Sequence, residues 1–348
     1  GGILGNTQID KHFGTDARHA WRSAEKDAIE HVAGLLERYK IDADAHSKGE
    51  TLPAHKAKRW ATLQQHADEV AESYGVEPIL IPKGELSEHG LEGPFHGALT
   101  TPIGFGLNPL KYALGIAEAA RAAGARFFEH CPVNRIEQGA HFSLHTPKGR
   151  ITAKRIIIAT NGYSSEDIPD WLAARFMPVQ SSVLVTRPLT NTELTDAGWT
   201  SDQMAFDSRN LLHYFRLMPD RRFLFGMRGG IFANARTNAK IKRLIRSDFE
   251  QMFPAWTHVD TPHMWSGLVC MNAKGLPFTG PVPDMPGAYA SLSYHGNGVA
   301  MASYCGTLLA DLVQDKDTRL PYPEVVQTVP TKLPFGTKRR WLLPPLYT

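Results

Sequence analysis

Lys154 to Tyr163 reads KRIIIATNGY. Three consecutive isoleucines make an apolar run too continuous for a half-exposed strand, and suit a strand buried on both faces of a parallel sheet. This places the run at the centre of an α/β domain. The run breaks into Ala159, Thr160, Asn161 and Gly162. Small residues at a strand's carboxyl end occupy the place where open α/β sheets bind ligands and where a cofactor can approach the backbone. Taken alone, the same letters also describe a core strand closed by an Asn-Gly turn.

The flanking sequence extends the α/β pattern. Asn108 and Pro109 give an N-cap and a first helical position, and Gly124 lies past the end of the apolar body LKYALGIAEAARAA. Short strands are expected at 126–129, 133–137, 142–146 and 150–153, with Pro147-Lys148-Gly149 as a hairpin turn. Upstream, 15–39 has the spacing of an amphipathic helix, and 56–74 a second. Downstream, 179–186, 211–218 and 223–227 are β-rich and precede a basic helix at 239–252. A strand at 288–294 and a buried helix at 299–313 close the pattern, before a Pro-rich tail that begins near Leu320.

The 348 residues carry a net charge of +3 and are 42% hydrophobic, which is ordinary for a globular chain of one large or two smaller domains. Lys and Arg are scattered, so a nucleic-acid partner is not expected; the run Lys338-Arg339-Arg340 reads as a solvated tail. Cys131, Cys270 and Cys305 are odd in number and far apart, which indicates free thiols and a cytoplasmic location. No apolar segment is long enough to span a bilayer. His141 and His145 stand apart from any clustered ligand set, so no metal is expected.

The loop Tyr294-His295-Gly296-Asn297-Gly298 precedes a run of small apolar residues. A Gly-x-Gly loop at a helix start turns backbone N–H groups toward a ligand, with the positive end of the helix dipole behind them. As a nicotinamide fingerprint it fails, because Met301 holds the third glycine position. A flavin suits it better, since hydride arriving at N5 leaves negative charge at the N1/O2 edge.

The ordered segments GGI at Gly1, LNPLKYALGIAEAARAAGA, CPVNRIE, IIIATNGY, MPVQSSVLVTRPL, HYFRLMPDRRFLFGMRGG, WSG, LPFTG and YHGNGVAMASYCG resemble the FAD-dependent D-amino-acid oxidase-like oxidoreductases, within them the gamma-glutamylputrescine oxidoreductase type. The resemblance implies a discontinuous, doubly wound FAD-binding domain (1–44, 98–165, 263–320) with an inserted antiparallel-sheet substrate domain (45–97, 166–262) and a tail at 321–348. It implies FAD contacts at Gly1 and Gly2 beside the flavin and at Val133 near the adenine. Ala159, Thr160, Asn161 and Gly162 fall on the dinucleotide side, Trp265, Gly267 and Gly280 on the flavin-flanking loop. His295, Gly296, Asn297, Gly298, Val299 and Ala300 fall at N1/O2. Family members begin with a βαβ unit carrying GxGxxG, and no such unit follows Gly1. The sequence is therefore expected to be an amino-terminally truncated enzyme, or else a non-catalytic relative that binds no FAD.

For the substrate, the resemblance implies oxidation of an amine or amino acid at its C–N bond. Candidate site residues are His213, Tyr214 and Arg216 on one strand, with Tyr214 opposite in direction to His213, and Arg228. Either arginine could hold a carboxylate in bidentate fashion, or form an ordinary surface ion pair. Tyr214 reads as a pocket wall, and Cys270 as a small buried hydrophobe. The amine itself and the oligomeric state are not legible.

Overall fold

The computed structural model describes residues 2–229, 235–336 and 338–339; Gly1 and residues 340–348 of the tail lie outside them. Two helices open the chain, α1 (Asn6–Phe13) and α2 (Thr15–Tyr39). Next come β1 (Glu50–Pro53), α3 (Ala57–Tyr74), β2 (Ile79–Pro82), β3 (Gly97–Thr101) and α4 (Pro109–Ala122). A meander of β4 (Arg135–Gln138), β5 (Phe142–Thr146) and β6 (Gly149–Ala153) leads into β7 (Ile156–Ile158). Then follow β8 (Met177–Val185), α5 (Asn191–Ala197), β9 (Met204–Phe206), β10 (His213–Leu217), β11 (Phe223–Arg228) and α6 (Ala235–Met252). The last elements are β12 (His263–Met271), β13 (Phe278–Pro281), β14 (Ala288–Leu292), α7 (Gly298–Leu312) and α8 (Glu324–Gln327). The α/β class read from the sequence is the class observed.

The described residues divide into two compact units, one drawn from 2–42, 109–178 and 268–339, the other from 43–108 and 179–267. In the first, β13, β14 and β7 form a three-stranded sheet in which β14 and β7 run parallel. Ile156 and Ile158 point into a cluster with Phe142, Phe176, Phe278 and Ala290. Ile157 points the other way and is 44% exposed, so the isoleucine run is buried on one face only. Strand alternation puts the middle residue on the opposite face, and β7 has only β14 as a neighbour among the described residues. A second cluster packs Ile9 and Trp21 against Met301, Tyr304 and Leu308 of α7.

Residues 126–129 are not a strand: they have no pairing partner among the described residues, and Phe127 and Phe128 are exposed. Arg339 is not a solvated tail residue. It is 4% exposed, pairs with Glu166, and donates through Nε to the Phe176 carbonyl at 2.5 Å. A guanidinium that gains a carboxylate and a carbonyl can be buried where a bare charge cannot.

The second unit is built on an eight-stranded sheet in the order β12-β8-β11-β10-β9-β1-β3-β2. One face of its centre buries Phe215, Phe223 and Phe225 against Phe249 and Phe253, with Trp199 and Trp256 closing the cluster. This aromatic mass fixes the strands that carry the candidate side chains. Helix α5 begins with a capping box: the Glu193 N–H donates to Thr190 Oγ1 at 3.1 Å and the Thr190 N–H to Glu193 Oε2 at 2.8 Å. Thr190→Ala should cost about 1 kcal/mol, read as a lowered midpoint in urea, because one helix-end N–H loses its acceptor.

Candidate functional site

In the first unit the carboxyl ends of β7 and β14 meet. Asn161, at φ 45°, accepts the Ser293 N–H through Oδ1 at 3.0 Å, which ties the residues after one strand to those after the other. Ala159 and Thr160 remain exposed at the end of β7. Gly162 is buried where a Cβ would lie 2.8 Å from the Leu268 carbonyl oxygen, so only glycine lets the two backbones approach this closely.

Between β14 and α7 the chain turns through Ser293, His295 and Gly296, all at positive φ. The N-cap Asn297 makes no side-chain cap, and the first turn of α7 carries no acidic residue. Gly296, Asn297 and Val299 are exposed, Gly298 and Ala300 half-buried. The first-turn N–H groups of a helix have no intrahelical acceptor, and here they face outward with the dipole's positive end. His295 is fully buried, and its backbone N–H donates to the Cys270 carbonyl at 3.2 Å.

The remaining positions in this unit are held by packing. Gly2 lies against Leu276, and Gly280 against the Tyr322 hydroxyl, which itself donates to the Thr279 carbonyl at 2.6 Å. Val133 is half-buried just before β4. Burial pushes the Cys270 thiol up to about 11, which keeps it protonated.

In the second unit β10 alternates. His213, Phe215 and Leu217 point into the aromatic core, Tyr214 and Arg216 to the other face. His213 sits between two carboxylates, Nδ1 at 3.0 Å from Asp207 Oδ2 and Nε2 at 3.1 Å from Asp248 Oδ2 on α6. Burial works to lower its pKa, yet the hydrogen bonds to Asp207 and Asp248 outweigh that and raise it. Burial acts to raise the pKa of the wholly buried Asp207, but His213 and Arg209 bring it below the usual value. This placement suits His213 as a tie between β10 and α6.

Tyr214 lies across Gly226 of β11, and its hydroxyl is 2.8 Å from Ser181 Oγ. Burial raises its pKa, so the phenol stays neutral. Arg216 donates to the Leu107 carbonyl at 3.1 Å, and burial lowers its pKa. Arg228 is half-buried at the end of β11. Trp265 (52% exposed) and Gly267 lie on β12. Sequence reasoning missed Asp207, Asp248, Ser181 and Gly226. Of these, only the glycine inside FLFGM carried a signal, since glycine within a strand marks close approach by another group.

The sequence profile of the DAO family, described as FAD dependent oxidoreductase, matches residues 6–312. The chain belongs to this family. Among DAO-family relatives, gamma-glutamylputrescine oxidoreductase of Escherichia coli (strain K12) is 29% identical over 307 residues, 88% of this chain and 70% of that protein. Probable oxidoreductase OrdL of Rhizobium meliloti (strain 1021) is 31% identical over 319 residues, 90% of this chain and 72% of that protein. The fold is also that of glycine oxidase from Geobacillus kaustophilus, with a TM-score of 0.71 at 21% identity over 88% of this chain and 80% of that one.

The uncapped start of α7, free of acidic residues and set beside the small residues after β7, fits the electron-rich edge of a flavin. Among the described residues no helix is long and apolar enough to cross a membrane, and no group of His, Cys, Asp and Glu is placed to hold a metal ion.

Proposed function

We propose that this chain is an FAD-dependent oxidase of the C–N bond of an amine or amino acid, acting in the cytoplasm. The first unit holds the cofactor and the second presents the substrate. The observation that carries this reading is the open α7 start tied to the end of β7 by Asn161. Bound FAD would supply the hydride acceptor for this oxidation, with water hydrolysing the imine product and oxygen, reduced to peroxide, as the final electron acceptor.

The chain's own residues bind and orient. N–H groups of Gly298, Val299 and Ala300 would face the edge that gains negative charge, and Ala159 to Gly162 would line the dinucleotide. Tyr214, kept neutral by burial, offers a hydroxyl and a ring wall, and Arg216 or Arg228 fixes an acidic group of the substrate. Such a reaction asks for orientation and desolvation more than for a strong base.

Gly298→Leu tests the cofactor site. A Cβ there would lie 3.2 Å from Tyr294 Cβ, so a larger side chain must extend over the helix start. The variant should keep its far-ultraviolet circular dichroism and lose FAD on desalting, whereas the parent retains it. Equal retention would show that the flavin does not lie at this helix.

A further inference from the structure

His46 and Gly106 lock together just beyond the paired ends of β1 and β3. The His46 N–H donates to the Gly106 carbonyl at 3.0 Å and the Gly106 N–H to the His46 carbonyl at 2.8 Å, an antiparallel bridge. Residues directly opposite in such a pair share a face, so the imidazole lies over the side of Gly106 that carries no side chain. A Cβ there would fall 2.7 Å from His46 Nε2 and 3.2 Å from Arg216 Nη1. The bare glycine thus brings two nitrogens from distant parts of the chain to one niche. Arg216 shares its face of β10 with Tyr214, which puts the niche on the proposed substrate face.

The two nitrogens differ in kind. His46 Nδ1 is 2.7 Å from the Asp44 carbonyl oxygen, which can only accept, so Nδ1 carries the proton and Nε2 of the neutral ring is an acceptor. Nε2 is buried and meets no donor among the described residues. Arg216 Nη2 donates to the Leu107 carbonyl at 3.1 Å, whereas Nη1 meets no acceptor among the described residues and is not shielded from solvent. A buried acceptor left without a donor is costly, and a ligand that supplies the donor offsets that cost. A carboxylate cannot do so, because it only accepts and would set its lone pairs against that of Nε2.

We infer that this niche selects a neutral group of the substrate that both donates and accepts, a carboxamide or a hydroxyl. Its N–H or O–H is donated to His46 Nε2, and its oxygen accepts from Arg216 Nη1. His46 is then a specificity-determining residue, and Gly106 the residue that leaves it room. The inference rests on the oxidase reading above and gives Arg216 a duty in it other than holding an acidic group.

The test is kcat/KM of the full chain, supplied with FAD, on a panel of straight-chain primary amines that differ only at the far end. The ends are methyl, hydroxyl, carboxamide and carboxylate, each at several chain lengths. At one length the carboxamide or the hydroxyl should exceed both the methyl and the carboxylate by roughly 10-fold, the range of one hydrogen bond to a buried group. Which of the two leads tells the sources apart. Gly106→Ala demands no left-handed backbone, and its methyl fills the niche. His46→Phe keeps a ring and removes the acceptor. In both variants the ratio of the favoured end to methyl should fall toward one, and His46→Gln, whose Oε1 can accept, should keep part of it. A merely structural His46 would lower every amine together and leave the ratio standing. Should His46→Phe fail to fold, Gly106→Ala and the order of end groups in the unaltered protein decide the same point. Preference for the carboxylate end, or a ratio that survives both variants, overturns the inference.

Calorimetric titration with amine-free carboxamides, alcohols and carboxylates of the same lengths separates the two claims. Carboxamides or alcohols bound more tightly than carboxylates, with no amine oxidised, would sink the oxidase reading and keep the niche. Oxidation with no preference among the end groups would do the reverse.

Discussion

Gly226→Ala should disable the substrate face. The new Cβ would lie 2.1 Å from Cε2 and Cζ of Tyr214, closer than real Cβ atoms approach any neighbour. The ring must therefore swing off the strand and give up its 2.8 Å contact with Ser181 Oγ. Overpacking of this kind costs about 1–3 kcal/mol of stability. A displaced orienting group lowers the rate by roughly 100-fold where the reaction depends on position. A double variant, Gly226→Ala with Tyr214→Ala, should recover stability relative to Gly226→Ala alone, because the clash needs both partners. Melting curves and kcat/KM on the best amine check this. A single variant that melts and turns over like the parent would mean that the ring does not rest on Gly226.

The second large effect concerns the charges around His213. Asp207 is fully buried and accepts from the backbone N–H groups of Arg209 and His213, besides pairing with the Arg209 guanidinium and the imidazole. Asp207→Ala strands these donors without an acceptor and should cost about 3–5 kcal/mol, the range for breaking a buried pair from one side.

The same cluster sets a pH window. The pKa of Asp207 is depressed, so its contribution is present above its unfolded value and is lost as pH falls through the folded one. The pKa of His213 is raised, so its contribution is complete below its unfolded value of about 6.5 and is lost as pH rises through the folded one. When His213 loses its proton, Asp207 keeps Arg209 as its cation, while Asp248, partly exposed on α6, loses its only ion-pair partner among the described residues. The melting temperature should therefore decline on both the acidic and the alkaline side. His213→Gln should flatten the alkaline decline and weaken the acidic one, because His213 is one of the two groups that depress Asp207. Thermal melts between about pH 2 and about pH 9 read this directly. An alkaline decline that survives in His213→Gln would assign it to another group.

What could be read from the letters was what is local. The amphipathic spacing of 15–39 recovers the whole of α2, and Asn108-Pro109 marks the start of α4, because helix periodicity and capping are written within a few residues. The alternation of HYFRL separates His213 from Tyr214 for the same reason. The loop after β14 announced an open helix start through its glycines.

Whatever depends on a distant partner was not legible. Asp248 meets His213 across 35 positions, and Ser181 meets Tyr214 across 33, with no spacing rule to connect them. Ile157 reads like its two neighbours, but strand alternation turns it to the opposite face, where it is 44% exposed. Arg339 looks like part of a basic tail until Glu166, 173 positions earlier, is found beside it. The isoleucine run thus identified the sheet correctly and its outer face incorrectly.

The central claim, that the α7 start and the end of β7 form a working flavin site, is tested most directly by one spectrum. The chain is incubated with FAD, desalted, and titrated without oxygen against the amine panel, following the flavin band near ~450 nm. The account predicts a retained band that bleaches with at least one amine and returns when air is admitted. A folded chain that retains FAD but is bleached by no amine in the panel, or that retains none at all, would contradict it.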